Sequence, residues 1–189
     1  MNKVIKKLLV GVMASTMLLG SLTTAFAATG SATTSVVPEA KEEVVAEKTE
    51  TGITPTVDTT EKGNAFITEI AATTKTTVKV SSTVEVNGVE YKVRKIAEGA
   101  FANCTNVKTI ELPKTIKTIG KNAFTGASDT LKTIKITSTK APEVAKSAFE
   151  GVDTTKKTIT VSKKMSTKEY KKLKKALKAA GFKGKIKRA

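Results

Sequence analysis

Ile110-Glu111-Leu112-Pro113-Lys114-Thr115-Ile116-Lys117-Thr118-Ile119-Gly120-Lys121-Asn122-Ala123-Phe124 holds the larger part of one copy of a pattern that runs through the middle of the chain. Ala-Phe pairs recur at Ala100-Phe101, Ala123-Phe124 and Ala148-Phe149, placing the phenylalanines 23 and 25 residues apart. A self-similar period in the twenties is the signature of a solenoid. Four further columns keep the same register. A branched apolar residue lies five before each Phe (Ile96, Ile119, Val144), and a small one three after it (Cys104, Ala127, Val152). Nine or ten residues after each Phe comes Ile110, Ile134 or Ile159, and two further on Leu112, Ile136 or Val161.

Each column has a physical reading. Ile110 with Leu112, Ile134 with Ile136 and Ile159 with Val161 alternate with polar residues, which is the period of a half-buried strand. Threonine and β-branched residues dominate these stretches, as a pleated surface prefers. The Ala-Phe segment reads as a tight turn or short helix with Phe as its large core residue. One such unit cannot close its own core, so neighbours must stack and share it. The expected fold is an α/β-type solenoid: a short stack of parallel strands, each returning compactly to the next. The expected repeat core is Ile96, Phe101, Cys104, Ile110, Leu112, Ile119, Phe124, Ile134, Ile136, Phe149, Ile159 and Val161.

Ile119-Gly120-Lys121-Asn122-Ala123-Phe124 with Leu131, Ile134 and Ile136 resembles the BspA-type leucine-rich repeat. So does Ile96 through Ala100-Phe101, Cys104, Val107, Ile110, Leu112-Pro113, Ile116 and Ile119. The resemblance covers residues 91–165. The third unit departs from the pattern, with Lys156 where a Leu is expected and a polar Thr155-Lys156-Lys157. Such a unit suits the end of a stack. The resemblance implies a secreted or surface bacterial protein, often one involved in adhesion.

Outward from the repeat, both ends read as caps. Asn87-Gly88 between alternating apolar residues is a strong hairpin signal, because a type I′ turn needs positive φ twice. Phe66-Ile67 and Val78-Lys79-Val80 can add strands, so residues 64–93 are expected to form an N-terminal β cap. At the other end, Ser166-Thr167-Lys168-Glu169 fits a capping box in which Glu169 reaches back. Tyr170, Leu173, Leu177 and Ala180 make an apolar stripe at helical spacing, and Gly181 supplies the stop. A C-terminal amphipathic helix over 166–181 follows, completing a leucine-rich-repeat domain over 63–189.

Ahead of this domain lie two different segments. Lys3, Lys6 and Lys7 precede an apolar run from Leu8 to about Leu19, and Ala25-Phe26-Ala27 is a small-residue cleavage site. Residues 1–27 therefore read as a signal peptide, too short in its apolar run to span a membrane. Residues 28–62 carry seven acids, three bases and no aromatic residue, and read as a disordered linker. No Cys follows the cleavage site and no sorting motif stands near the C-terminus. A secreted, extracellular chain is expected, free or retained on the bacterial cell wall by charge, with no transmembrane segment in the mature form.

The 189 residues include 33 Lys plus Arg, 17 Asp plus Glu, one Cys and no His or Trp. Histidine acid–base chemistry and an internal disulfide are therefore excluded. No phosphate loop, nucleophile elbow or calcium loop occurs, so no enzyme, cofactor or metal is expected. Cys104 sits in a small apolar column and reads as a buried packing residue. Residues 156–189 hold fourteen bases and one acid, Glu169. Such a cluster attracts polyanions through steering and counterion release. Lys168, Lys171, Lys172, Lys175 and Lys178 are the candidates for it, on the helix face opposite the stripe, with Lys174 at its edge. The strand face offers a second candidate surface: Thr109, Glu111, Thr133, Lys135, Thr137, Thr158 and Thr160.

The leading functional expectation is a secreted, non-enzymatic module for cell-surface association, adhesion or protein binding. The alternative is a cationic protein that binds wall polymer mainly through its Lys-rich helix. The expected partner is a surface or matrix protein, or an anionic wall polymer. Specific nucleic-acid recognition is not expected, since aromatic stacking residues are nearly absent.

Overall fold

The protein is described by a computed structural model covering residues 43–45, 55–58, 63–127 and 129–189, all within the compact unit Pro38–Ala189. The signal-peptide segment and most of the 28–62 linker lie outside the described residues.

In chain order the strands are β1 (Glu43–Val45), β2 (Pro55–Asp58), β3 (Asn64–Ile70), β4 (Thr77–Lys79), β5 (Thr83–Val86) and β6 (Val89–Ile96). They continue as β7 (Thr109–Leu112), β8 (Thr118–Ile119), β9 (Thr133–Ile136), β10 (Glu143–Val144) and β11 (Thr158–Val161). The helix α1 (Thr167–Ala179) and strand β12 (Lys185–Arg188) close the chain. The described residues form two sheets. One has the order β12-β11-β9-β7-β4 and is parallel throughout. The other runs β1-β2-β3-β6-β8-β10, with β5 paired to β6.

The chain is a solenoid, and its register is the one the columns require. Ile110, Ile134 and Ile159 are direct neighbours across β7, β9 and β11, as are Leu112, Ile136 and Val161. Val78 extends the first row on one side and Ile186 on the other. All twelve expected core residues are at most 4% exposed. The phenylalanines rise one coil at a time: Phe101 and Phe124 stack with ring centroids 5.5 Å apart and planes 4° from parallel. Phe124 and Phe149 repeat this at 5.0 Å and 9°. These spacings lie close to the interstrand distance, so each ring follows its own coil. Removal of each ring from water contributes about 1.5–3 kcal/mol, and each ring pair about 0.5–1.5 kcal/mol more.

Four features differ from the sequence expectation. First, the return between coils contains a strand of its own. Ile67, Ile96, Ile119 and Val144 sit side by side in the second sheet, and this row is what the branched apolar column builds. Two-residue strands such as β8 and β10 are too short to show a period in the sequence.

Second, residues 64–93 are more than a cap. β3 and β4 run parallel to β6 and β7 and form a further coil. The Ile70 N–H donates to Ala100 O, as the Phe101 N–H donates to Ala123 O one coil later. Ile70 thus takes the place of Phe, and the pattern escapes notice. The hairpin itself is as expected: Asn87 and Gly88 have φ of 52° and 75°. It is inserted between β4 and the end of β6, stretching the Val78–Ile110 spacing beyond the usual period.

Third, seven residues of the expected disordered linker are strands. β2 pairs with β3 antiparallel and Val57 is fully buried, so these residues extend the second sheet. Fourth, α1 is not the last element. After Gly181 (φ +91°), Phe182 joins the ring stack at 5.2 Å from Phe149, tilted by 55°, and β12 adds a parallel strand to β11. The helix stands where the next strand of the second sheet would lie, next to β10.

Close stacking makes two glycines indispensable. A Cβ on Gly126 would lie 1.8 Å from Ala102 O, and one on Gly184 would lie 2.2 Å from Lys157 O. We expect Gly126→Ala to cost about 1–3 kcal/mol of unfolding free energy through overpacking. Phe124→Ala should cost about 3–5 kcal/mol. Urea denaturation followed by circular dichroism measures both.

Candidate functional site

The outward side of the parallel sheet is assembled by register. Thr109, Thr133 and Thr158 form one row, and Glu111, Lys135 and Thr160 the next. The coils bring these six candidate residues together because inward Ile and Leu positions alternate with them. Lys135 is exposed and the other five are half-buried by their neighbours. Thr137 lies just beyond β9, with its hydroxyl donating to Leu112 O at 2.8 Å. Sequence reasoning missed the ends of both rows. β4 adds Thr77 and Lys79, and β12 adds Lys185 and Lys187. The alternation Lys185-Ile186-Lys187 was the available signal for the second pair.

The second candidate surface is the C-terminal end. Leu173 and Leu177 are fully buried, Ala180 is 2% exposed, and Tyr170 packs against the same core. This fixes the rotation of α1, and Lys168, Lys171, Lys172, Lys175 and Lys178 are all exposed. Ser166 caps the helix by accepting from the Glu169 N–H at 3.2 Å. Glu169 does not close the capping box with Ser166. Its Oε2 accepts from the Ala141 N–H at 2.7 Å, tying the first turn of the helix to the preceding coil. The only acid in residues 156–189 is therefore turned inward. On the other flank, the Tyr170 hydroxyl donates to Ile186 O at 3.2 Å, and the Arg188 guanidinium lies 4.6 Å from the Tyr170 ring centroid. Helix and last strand are sewn together along this seam.

The polar third unit is satisfied by that same end. Thr154 is 2% exposed, accepts from the Lys183 N–H at 2.8 Å and donates to Gly181 O at 3.4 Å. Lys157, rather than the mismatched Lys156, turns inward and donates from Nζ to Leu131 O at 2.8 Å. Burial lowers its pKa from the ordinary lysine value, with Asp153 and Asp129 pulling the other way. The outer side of the second sheet holds a shallow groove of about 380 Å³ bearing Lys95, Glu98, Lys121 and Glu143. Its charges are mixed and its floor is Gly120 and Ala145, small residues set by the tight stacking of coils.

Cys104 is fully buried and free. Burial pushes its thiol up to about 11, since the thiolate would have no solvation there. A sulfhydryl that stays protonated is a poor nucleophile. We expect a disulfide reagent at pH 8 to label Cys104 only at the rate of unfolding, and rapidly once denaturant is added. Fast labelling of the native protein would contradict this packing.

Three comparisons bear on what the chain is. The family model described as "BspA type Leucine rich repeat region (6 copies)" matches residues 79–180. Among solved structures, a leucine-rich repeat protein from Bacteroides capillosus is similar at 21% identity and a TM-score of 0.40, covering 60% of this chain and 80% of that one. A leucine rich cell surface protein from Faecalibacterium prausnitzii is similar at 18% identity and a TM-score of 0.43, covering 67% of this chain and 39% of that one. A leucine-rich repeat protein from Bacteroides ovatus is similar at 22% identity and a TM-score of 0.39, covering 59% of this chain and 35% of that one. The chain thus spans well under half the length of the last two. No curated protein sequence matches it.

Proposed function

Because the chain belongs to the BspA-type leucine-rich repeat family, we propose that it is a secreted, non-enzymatic module that associates with cell surfaces by adhesion or protein binding. The observation that carries this reading is the outward side of the parallel sheet, where five strands in register present one row of threonines ending in Lys185 and a second row that is mostly charged. Solenoids use such faces for extended binding. The rows carry no aromatic anchor, and anchors dominate tight interfaces. The module therefore gains its hold from area and repetition. The signal-peptide pattern of residues 1–27 supports an extracellular setting.

A second reading is favoured by a separate observation. The five outward lysines of α1 belong to a segment, residues 156–189, whose only acid, Glu169, is half-buried and engaged by the Ala141 N–H. In this reading the protein is retained on the cell wall by anionic polymer, with the helix as the main contact.

The test is binding of the purified protein to whole bacterial cells and to matrix proteins. Thr133→Arg with Thr158→Arg places two large charged groups in the middle of the first row without touching the core. We expect at least a tenfold loss of binding, about 1.4 kcal/mol, with the far-ultraviolet spectrum unchanged. Changing Lys168, Lys171, Lys172, Lys175 and Lys178 to Gln separates the second reading, under which this variant, and not the threonine one, should release the protein from cells. Unaltered binding by both variants would rule out both surfaces.

A further inference from the structure

Resting on the sheet-face reading, we propose that the outward side of the parallel sheet binds a linear glycan in which acidic and neutral sugars alternate. The order of groups in its second row carries this inference. Across β4, β7, β9, β11 and β12 that row reads Lys79, Glu111, Lys135, Thr160, Lys187. Lysines stand on every second strand, two interstrand spacings or about 9.6 Å apart. Lys79, Lys135 and Lys187 are exposed, and Glu111 and Thr160 are half-buried between them. The ladder beneath holds this order in place, because Val78, Ile110, Ile134, Ile159 and Ile186 pair directly across the same strands.

A pyranose ring is about as long as one interstrand spacing. A glycan laid across the strands therefore advances by one sugar per strand. An alternating polymer then sets each carboxylate over a lysine and each neutral sugar over Glu111 or Thr160. Glu111 accepts hydrogen bonds from sugar hydroxyls, and Thr160 both donates and accepts. The neighbouring row of Thr77, Thr109, Thr133 and Thr158 adds further hydroxyls along the same path, and Lys185 ends it.

Glu111 selects among polyanions. A polymer charged on every sugar, or a phosphodiester chain with its shorter charge repeat, would set an anion against the Glu111 carboxylate. Such a repulsive element is how a site rejects related ligands. The two rows contain only Thr, Lys and Glu. Single-stranded nucleic acid finds no ring to stack on, a bilayer finds no apolar side chain to take up, and a protein finds no aromatic or arginine anchor.

The experiment is calorimetric titration of the purified protein with short hyaluronan oligosaccharides, in which a uronate and a neutral amino sugar alternate. Oligogalacturonate, charged on every sugar, and neutral chitin oligosaccharides are run alongside, and both should bind more weakly. Lys79→Gln, Lys135→Gln and Lys187→Gln together should weaken hyaluronan binding about tenfold, since three exposed charge pairs are lost. Lys171→Gln, Lys172→Gln and Lys175→Gln remove the same charge from α1 and should leave the affinity unchanged. Arginine at the three sheet positions should retain binding, which guards against loss of fold. Glu111→Gln should raise the affinity for oligogalacturonate more than that for hyaluronan. The assignment is overturned if the helix variant weakens binding as much as the sheet variant, or if either other glycan binds the native protein as tightly as hyaluronan. If no glycan binds while Thr133→Arg with Thr158→Arg still prevents attachment to cells, the glycan is wrong and the sheet face stands, with a protein as its partner. If that variant attaches normally as well, the sheet face itself is wrong.

Discussion

Everything in this protein depends on stacking like upon like at the interstrand spacing. Each coil places one large ring, one branched residue in the second sheet and two apolar residues in the first at the height of its own backbone. The next coil then meets identical partners. Phe101, Phe124 and Phe149 are nearly parallel because the backbones that carry them are parallel. This is why Gly126 and Gly184 have no room for a methyl group. Side chains can repack around a small error, but two backbones one strand spacing apart cannot.

The ends of such a stack need different solutions, and here they are unlike. At the start, Ile70 takes the ring position, and β2 and β1 extend the second sheet antiparallel. At the finish, a helix replaces a strand. α1 covers the second sheet beside β10 while β12 continues the first sheet beyond β11. The open edge at β12 carries lysines, and charged edge strands resist pairing with further chains.

The polar departures of the third unit also follow from its position. Thr154 and Lys157 would be costly in the middle of the stack, where both neighbours are apolar. Thr154 finds partners in Gly181 and Lys183 of the closing turn, and Lys157 reaches back to Leu131 O in the preceding coil. A buried ammonium is tolerated when its donors are used and carboxylates lie near. Glu169 follows the same logic, since a free amide at Ala141 offers it more than its own helix terminus does.

The repeat core, the hairpin turn and the buried stripe of α1 were legible in the amino-acid sequence. They rest on short-range periods: two for a strand, 3.6 for a helix, and two dozen for a coil. The outward placement of six of the seven strand-face candidates was legible for the same reason, as the complement of the inward positions, whereas Thr137 lies just beyond β9. Four things were decided only by the tertiary structure: the second sheet, the extra first coil, the role of Phe182 and the addition of β12. In each case the local segment is too short or too polar to show a period, and its conformation is set by a neighbouring coil already in place. A two-residue strand exists only because a strand lies beside it, and Lys185–Arg188 becomes part of a sheet only because β11 leaves an edge to pair with.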